Sequence, residues 1–204
     1  MKKAVLIGTL ALIAGSANAA VDIFIDEGNF LNEVGDFYLE DFDGYVYGGY
    51  TDLTLDLGPV NGFSYTLDAD LGDGDPGLWS GDGNMSTNSA LNMLRATFTG
   101  DPVYAVGGFF FASDINGLYI PGMVTIGLSD GTTYDFSPGS DIEFRGFVSD
   151  VPIDYITIDA EDDLNTPVYR WSTMDHFYVG NAVPAPGSAL LLGFAGVAGL
   201  RRRR

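Results

Sequence analysis

Aspartate is the residue type in this chain best placed to do chemistry. In DADLGDGDPG, Asp68, Asp70, Asp73 and Asp75 fall within eight residues, among glycines that let a loop fold back on itself. Oxygen-rich loops of this kind suit a hard divalent ion, calcium above all, which gathers six to eight carboxylate and carbonyl oxygens. The pattern is not an EF-hand, because the third aspartate is displaced from the alternating positions 1, 3 and 5. Carboxylates could also hydrolyse glycosides, given two of them about 5 to 9 Å apart with one pKa raised. The chain has 28 acidic residues, and the sequence singles out no such pair among them.

Other catalytic machinery is sparse. There is one histidine, His176, and no cysteine, so neither thiol chemistry nor a disulfide framework is available. Zinc sites draw on several His or Cys ligands, and no Gly-x-Ser-x-Gly nucleophile elbow is present. Strict alternation through TMDHFYVG places Asp175, Phe177 and Val179 on one strand face and Met174, His176 and Tyr178 on the other. On that reading His176 is a surface or edge residue rather than a catalyst. The 11 tyrosines and 2 tryptophans suit sugar stacking. Tyr45, Tyr47 and Tyr50 of YVYGGY could form an exposed platform or pack at the core edge, whereas Phe109 to Phe111 read as a buried strand.

The elements that must position these residues are almost entirely β. Short aromatic and β-branched runs recur at 22–25, 36–42, 63–67, 94–99, 103–113, 123–129, 132–136, 144–149, 154–160 and 174–180, between clusters of Gly, Asp, Asn, Ser and Pro. Asp130-Gly131, between two of these runs, predicts a tight hairpin, since glycine readily supplies a positive φ. The segment Asp68 to Ala90 reads as a long polar loop around Trp79, without regular structure. Helical periodicity is nearly absent outside the terminal segments. The fold class expected is all-β, an antiparallel β-sandwich or jelly roll, with a barrel as the alternative.

Both ends of the chain differ from its middle. Lys2 and Lys3, the apolar run Ala4 to Ala14 and the small-residue site Ala17-Asn18-Ala19 describe a secretory signal peptide over 1–19, cleaved after Ala19. Eleven apolar residues rise only about 16 Å, too little to span about 30 Å of hydrocarbon. Residues 20–182 then form one domain. That middle holds three basic residues, Arg95, Arg145 and Arg170, against all 28 acidic ones, a formal charge of −25. Such a field repels phosphate backbones and argues against nucleic-acid binding. Residues 183–204 reverse the sign: Val183-Pro184-Ala185-Pro186, an apolar run over 187–200, then Arg201, Arg202, Arg203 and Arg204. The run would make about 21 Å of helix, with the arginines held on the cytoplasmic side.

This tail resembles the sorting segment of PEP-CTERM proteins, which consists of a Val-Pro-Glu-Pro-like motif, a short Gly- and Ala-rich hydrophobic helix and a terminal arginine cluster. Ala185 stands where the family usually has Glu. The resemblance implies recognition by exosortase, a membrane-embedded cysteine protease of Gram-negative bacteria that also make exopolysaccharide. It implies an inner-membrane-anchored precursor that becomes a cell-surface or extracellular protein. The stretch from Val106 to Gly180 is similar to a β-sandwich module found among exported members of that group. The pairing of EDFDG at 40–44 with an aspartate in the last strand resembles calcium-stabilised jelly rolls of the carbohydrate-binding type, which implies Asp41, Asp43 and Asp175 as a second calcium group. The expected function is a noncatalytic surface or matrix protein in a polysaccharide setting; the alternative is a secreted carbohydrate-active enzyme.

Overall fold

The computed structural model describes residues 20–45, 48, 53–81, 83–139, 142–161 and 168–183. The expected signal peptide, the tail from Pro184 to Arg204, and Tyr47 and Tyr50 lie outside the described residues. Fourteen strands and one short helix follow in chain order: β1 (Val21–Phe24), α1 (Glu27–Asn32), β2 (Val34–Glu40), β3 (Thr54–Val60), β4 (Phe63–Gly72), β5 (Leu78–Gly81), β6 (Asn84–Thr87), β7 (Asn92–Phe98), β8 (Val103–Ser113), β9 (Tyr119–Ile120), β10 (Val124–Leu128), β11 (Thr133–Phe136), β12 (Glu143–Ile153), β13 (Tyr155–Ala160) and β14 (Trp171–Ala182). Among the described residues no helix is long and apolar enough to cross a membrane.

The strands form two antiparallel sheets. The first runs β1-β12-β8-β14-β6-β5, with β2 also on β14 and β9 on β8; the second runs β11-β10-β13-β7-β4-β3. Alternation explains why they stack. In β4, Phe63, Tyr65, Leu67 and Ala69 point inward while Ser64, Thr66 and Asp68 point out, and β10 and β13 alternate in the same way. Between the sheets lies one core, whose aromatic seam joins Tyr38 to Tyr65 at 5.8 Å, Tyr65 to Phe177 at 5.3 Å and Phe177 to Phe110 at 6.3 Å. The all-β, sandwich-like class expected from the sequence is therefore the one observed.

The Asp130-Gly131 hairpin joins β10 to β11 as expected. Gly131 sits at φ +90°, and the Asp130 carboxylate accepts the Thr132 amide at 2.8 Å. The segment expected as a structureless loop is different: it contains the end of β4 and the whole of β5 and β6, which pair Leu78 to Thr87 through Gly81 to Asn84. Only Leu78, Trp79 and Met85 mark this ribbon as apolar, too few for alternation to be legible. Helix α1 was also illegible, since its six residues make fewer than two turns, too short for a hydrophobic period to repeat. Asp26 starts it by accepting the Asn29 amide at 2.8 Å.

Helix α1 places Phe30 on the outer face of the first sheet. There Phe30, Val34, Ala105, Phe144 and Tyr178 make a second, smaller core. The ring fits because Gly107 and Gly146 are paired across β8 and β12 and leave a dent. A Cβ on Gly107 would lie 3.0 Å from the ring, and one on Gly146 would overlap it. Gly146→Val is expected to cost about 1–3 kcal/mol by overpacking. In denaturant titrations the Phe30→Ala, Gly146→Val double variant should lose clearly less than the sum of the two single losses, because both act on one contact.

Candidate functional site

Strand β14 organises the acidic groups. Its pairing with β8 is regular from Trp171 to Asp175 and again from Tyr178 to Gly180, but one residue is inserted between the two stretches. The inserted position is His176, in a left-handed conformation at φ +46°. This β-bulge corrects the strict alternation expected for TMDHFYVG. Met174, Phe177 and Val179 all enter the core between the sheets, while Asp175 and Tyr178 face outward. His176 is a surface residue, but on an interior strand and not at an edge. Sequence alone gave no sign of the bulge: histidine tolerates a positive φ better than most residues, but a single one within an alternating run marks no position for an insertion.

The bulge coincides with a gap in the neighbouring pairing. On that flank β14 bonds β6 at Thr173 and Met174, then β2 from Phe177 onward. Into the gap runs Asp41-Phe42-Asp43. Phe42 is held at φ +56° because its ring is buried in the core. The acidic early segment and the last strand thus do meet. His176 Nδ1 lies 2.7 Å from Asp175 Oδ1. Burial opposes a charge on His176, but the bond to Asp175 and the charges of Asp175, Glu27 and Asp41 outweigh it and raise the imidazole pKa. Burial likewise raises the Asp175 pKa against the pull of His176, with Asp43 adding to the rise.

The second expected group divides. Asp68 and Asp70 lie in β4, whereas Asp73 and Asp75 lie beyond its end. Burial, then the hydrogen bond and charge of Asp70, push the Asp68 carboxyl up to about 6, although Arg95 opposes the shift from the adjacent strand. What ties down residues 69–75 is Asn92, which the sequence reading missed. Its buried side-chain amide donates to the carbonyls of Ala69 at 2.8 Å and Asp75 at 3.1 Å, and its oxygen accepts the Gly74 amide at 2.8 Å. An alternating strand signal at 92–98 could have exposed it as a polar residue at a core-facing position.

Among the described residues no three His, Asp or Glu side chains converge closely enough to hold a metal. Asp41 Oδ1 accepts the Asp43 amide, and Asp175 Oδ1 accepts from His176. The three arginines of the domain are also engaged. Arg95 stacks 4.4 Å from the Tyr155 ring centre; Arg145, buried at the sandwich edge, stacks 4.1 Å from that of Phe136 and bonds Glu143 at 2.7 Å. Arg170 Nε donates to the Pro121 carbonyl at 3.1 Å.

These features define a class: an acidic, all-β antiparallel sandwich whose few cations are internal ties. Comparison of the chain with protein-family models, with characterised proteins and with solved structures finds no match.

Two outcomes are expected. With Asp68 titrating near 6 when folded against 3.8 in the unfolded chain, the folded state holds the extra proton, so stability falls as pH rises from about 4 to 6. The raised values of Asp175 and His176 act in the same direction. Asp68→Asn should therefore be more stable than wild type at pH 7, by about 1 kcal/mol after allowing for solvent on that open face, and nearly equal at pH 4. A calcium titration of the melting temperature tests the acidic groups: a rise abolished by Asp43→Asn with Asp175→Asn would place an ion at the bulge, and no shift would count against both groups.

Proposed function

We propose that the chain is an exported, noncatalytic surface or matrix protein of a Gram-negative bacterium, delivered by a signal peptide over 1–19 and sorted through a PEP-CTERM-like tail over 183–204. The tail's apolar run and Arg201 to Arg204 would hold the precursor in the inner membrane until an exosortase-type protease acts near Val183 to Pro186. The released domain would then work at the cell surface or in an extracellular polysaccharide matrix. Its surplus of 25 negative charges keeps it soluble and unsuited to nucleic acid.

The observation that carries this reading is how the two ends of the sandwich are secured. Strand β1 begins at Val21, and the Ala20 amide donates to Asp150 Oδ1 at 3.0 Å. After cleavage behind Ala19, that nitrogen would be a free ammonium facing a carboxylate. At the other end β14 finishes at Ala182, and the Val183 amide donates to the Glu33 carbonyl at 2.8 Å. The first and last strands thus begin and end next to the two expected processing points, which supports the reading. Pro184 and Pro186 also disfavour helix before the apolar run, which suits a peptide that a protease must bind extended.

The glycosidase alternative finds its nearest support in the Asp68–Asp70 pair, one of whose carboxyls has a raised pKa. The two stand on one strand, two residues apart, and neither lines the clefts beside Trp171 or Phe109, whereas glycosidase carboxyls flank a substrate cleft about 5 to 9 Å apart. The noncatalytic reading is preferred for that reason. Mass spectrometry of the mature protein from its native host should find Ala20 at the amino terminus and Arg201 to Arg204 removed. A stably membrane-bound product that keeps the arginines would overturn the sorting proposal.

A further inference from the structure

The chain's two tryptophans lie far apart in sequence, yet they line one cleft on the first sheet. Trp79 of β5 and Trp171 of β14 share it with Ser86, Thr87, Asn88, Asp114 and Ile115, enclosing about 240 Å³. A second cleft of about 290 Å³ adjoins it, bounded by Trp171 and Asn88 together with Asp75, Ser89, Leu91 and Tyr169. Trp171 is the wall between them, held by its indole N–H on the Asn88 carbonyl at 3.4 Å. Tyr169 stands beside it, ring centres 6.4 Å apart, and is 63 % exposed.

The surroundings are built rather than incidental. The Trp79 ring packs where any Cβ on Gly81 or Gly117 would collide with it, so two glycines are required to seat it. Beneath the first cleft runs a buried line of hydroxyls: Ser113 to Thr173 at 2.7 Å and Thr173 to Ser86 at 3.0 Å, with Ser86 donating to the Ser172 carbonyl at 3.2 Å. Thr87, a lining residue only 1 % exposed, has its hydroxyl without a hydrogen-bond partner. Buried hydroxyls left unpaired in this way are unusual enough to call for a partner.

From this geometry we infer that the paired clefts bind an uncharged sugar chain, one pyranose against Trp79 and Trp171 and the next against Trp171 and Tyr169. A pyranose presents apolar C–H faces, which suit aromatic walls, and a rim of hydroxyls, which suit serine, asparagine and aspartate. Among the described residues no lysine or arginine lines either cleft, and Asp75 and Asp114 do, which disfavours anionic glycans and phosphates. The two volumes together fall in the range of small-ligand sites, whereas either alone falls just below it. The inference rests on the matrix reading for its setting, but on the cleft alone for its chemistry.

Because both tryptophans line the clefts, intrinsic fluorescence of the full-length chain reports the site directly. Titration with neutral cello-, malto- and galacto-oligosaccharides of four to six units should shift or quench that emission for at least one series. Alginate oligomers should leave it unchanged. Trp171→Ala should weaken the response roughly tenfold or more. Trp171→Phe, which keeps a ring in place if the alanine variant fails to fold, should weaken it less. No response to any neutral series, or equal responses in wild type and both Trp171 variants, overturns the inference. Either result leaves the sorting proposal intact, since that stands or falls on the processed termini.

Discussion

The constraint on which the rest of the structure depends is the single extra residue in β14. A strand's facing reverses at every residue, so without the insertion at His176 the side chains on one side of that point would face the wrong way. Phe177 and Val179 would leave the core, and Tyr178 would enter it in place of joining Phe30 and Phe144 on the outer face. With the bulge, one strand serves two cores, the large one between the sheets and the small one under α1. The same irregularity divides the strand's other flank between β6 and β2 and admits Phe42, itself at positive φ, into the core. Two left-handed residues, each unfavourable alone, are held because burial of Phe42, Phe177 and Val179 outweighs the local cost of about 1–3 kcal/mol apiece.

Electrostatics follows from where these elements put charge. Carboxylates crowd the region around the bulge and the outer face of β4, and the domain holds only three arginines against them. None of the three is spent on a free surface: Arg145 stacks at the sandwich edge, Arg95 stacks on Tyr155 and opposes the charge of Asp68, and Arg170 binds backbone carbonyls. Burial raises the carboxyls of Asp68 and Asp175 even against Arg95 and His176. The exception is Glu143, which the Gly139 amide and then Arg145 hold below its ordinary value.

The aromatic clefts and the bulge carboxylates sit in different parts of the first sheet, while Asp68 and Asp70 stand on β4 of the second. The bulge region offers carboxylates engaged by their neighbours. The clefts offer walls, hydroxyls and an unpaired Thr87. Asn92 links the two themes at one point, since the loop it secures carries Asp75 to the rim of the second cleft. A serine- and asparagine-rich ribbon, β5 with β6, supplies the other rim.

The residue pattern by itself determined the class of fold. Alternation in β4, β10 and β13, the continuous apolar run of β8 and the Asp130-Gly131 turn are local properties, and they were legible without coordinates. It also determined the charge distribution, which depends on composition alone. Tertiary structure decided the rest. The His176 bulge, the Gly107–Gly146 dent beneath Phe30, the Asn92 clasp and the meeting of Trp79 with Trp171 each join residues from separate strands. No local period encodes such meetings, because they arise only when sheet order and register bring distant segments side by side.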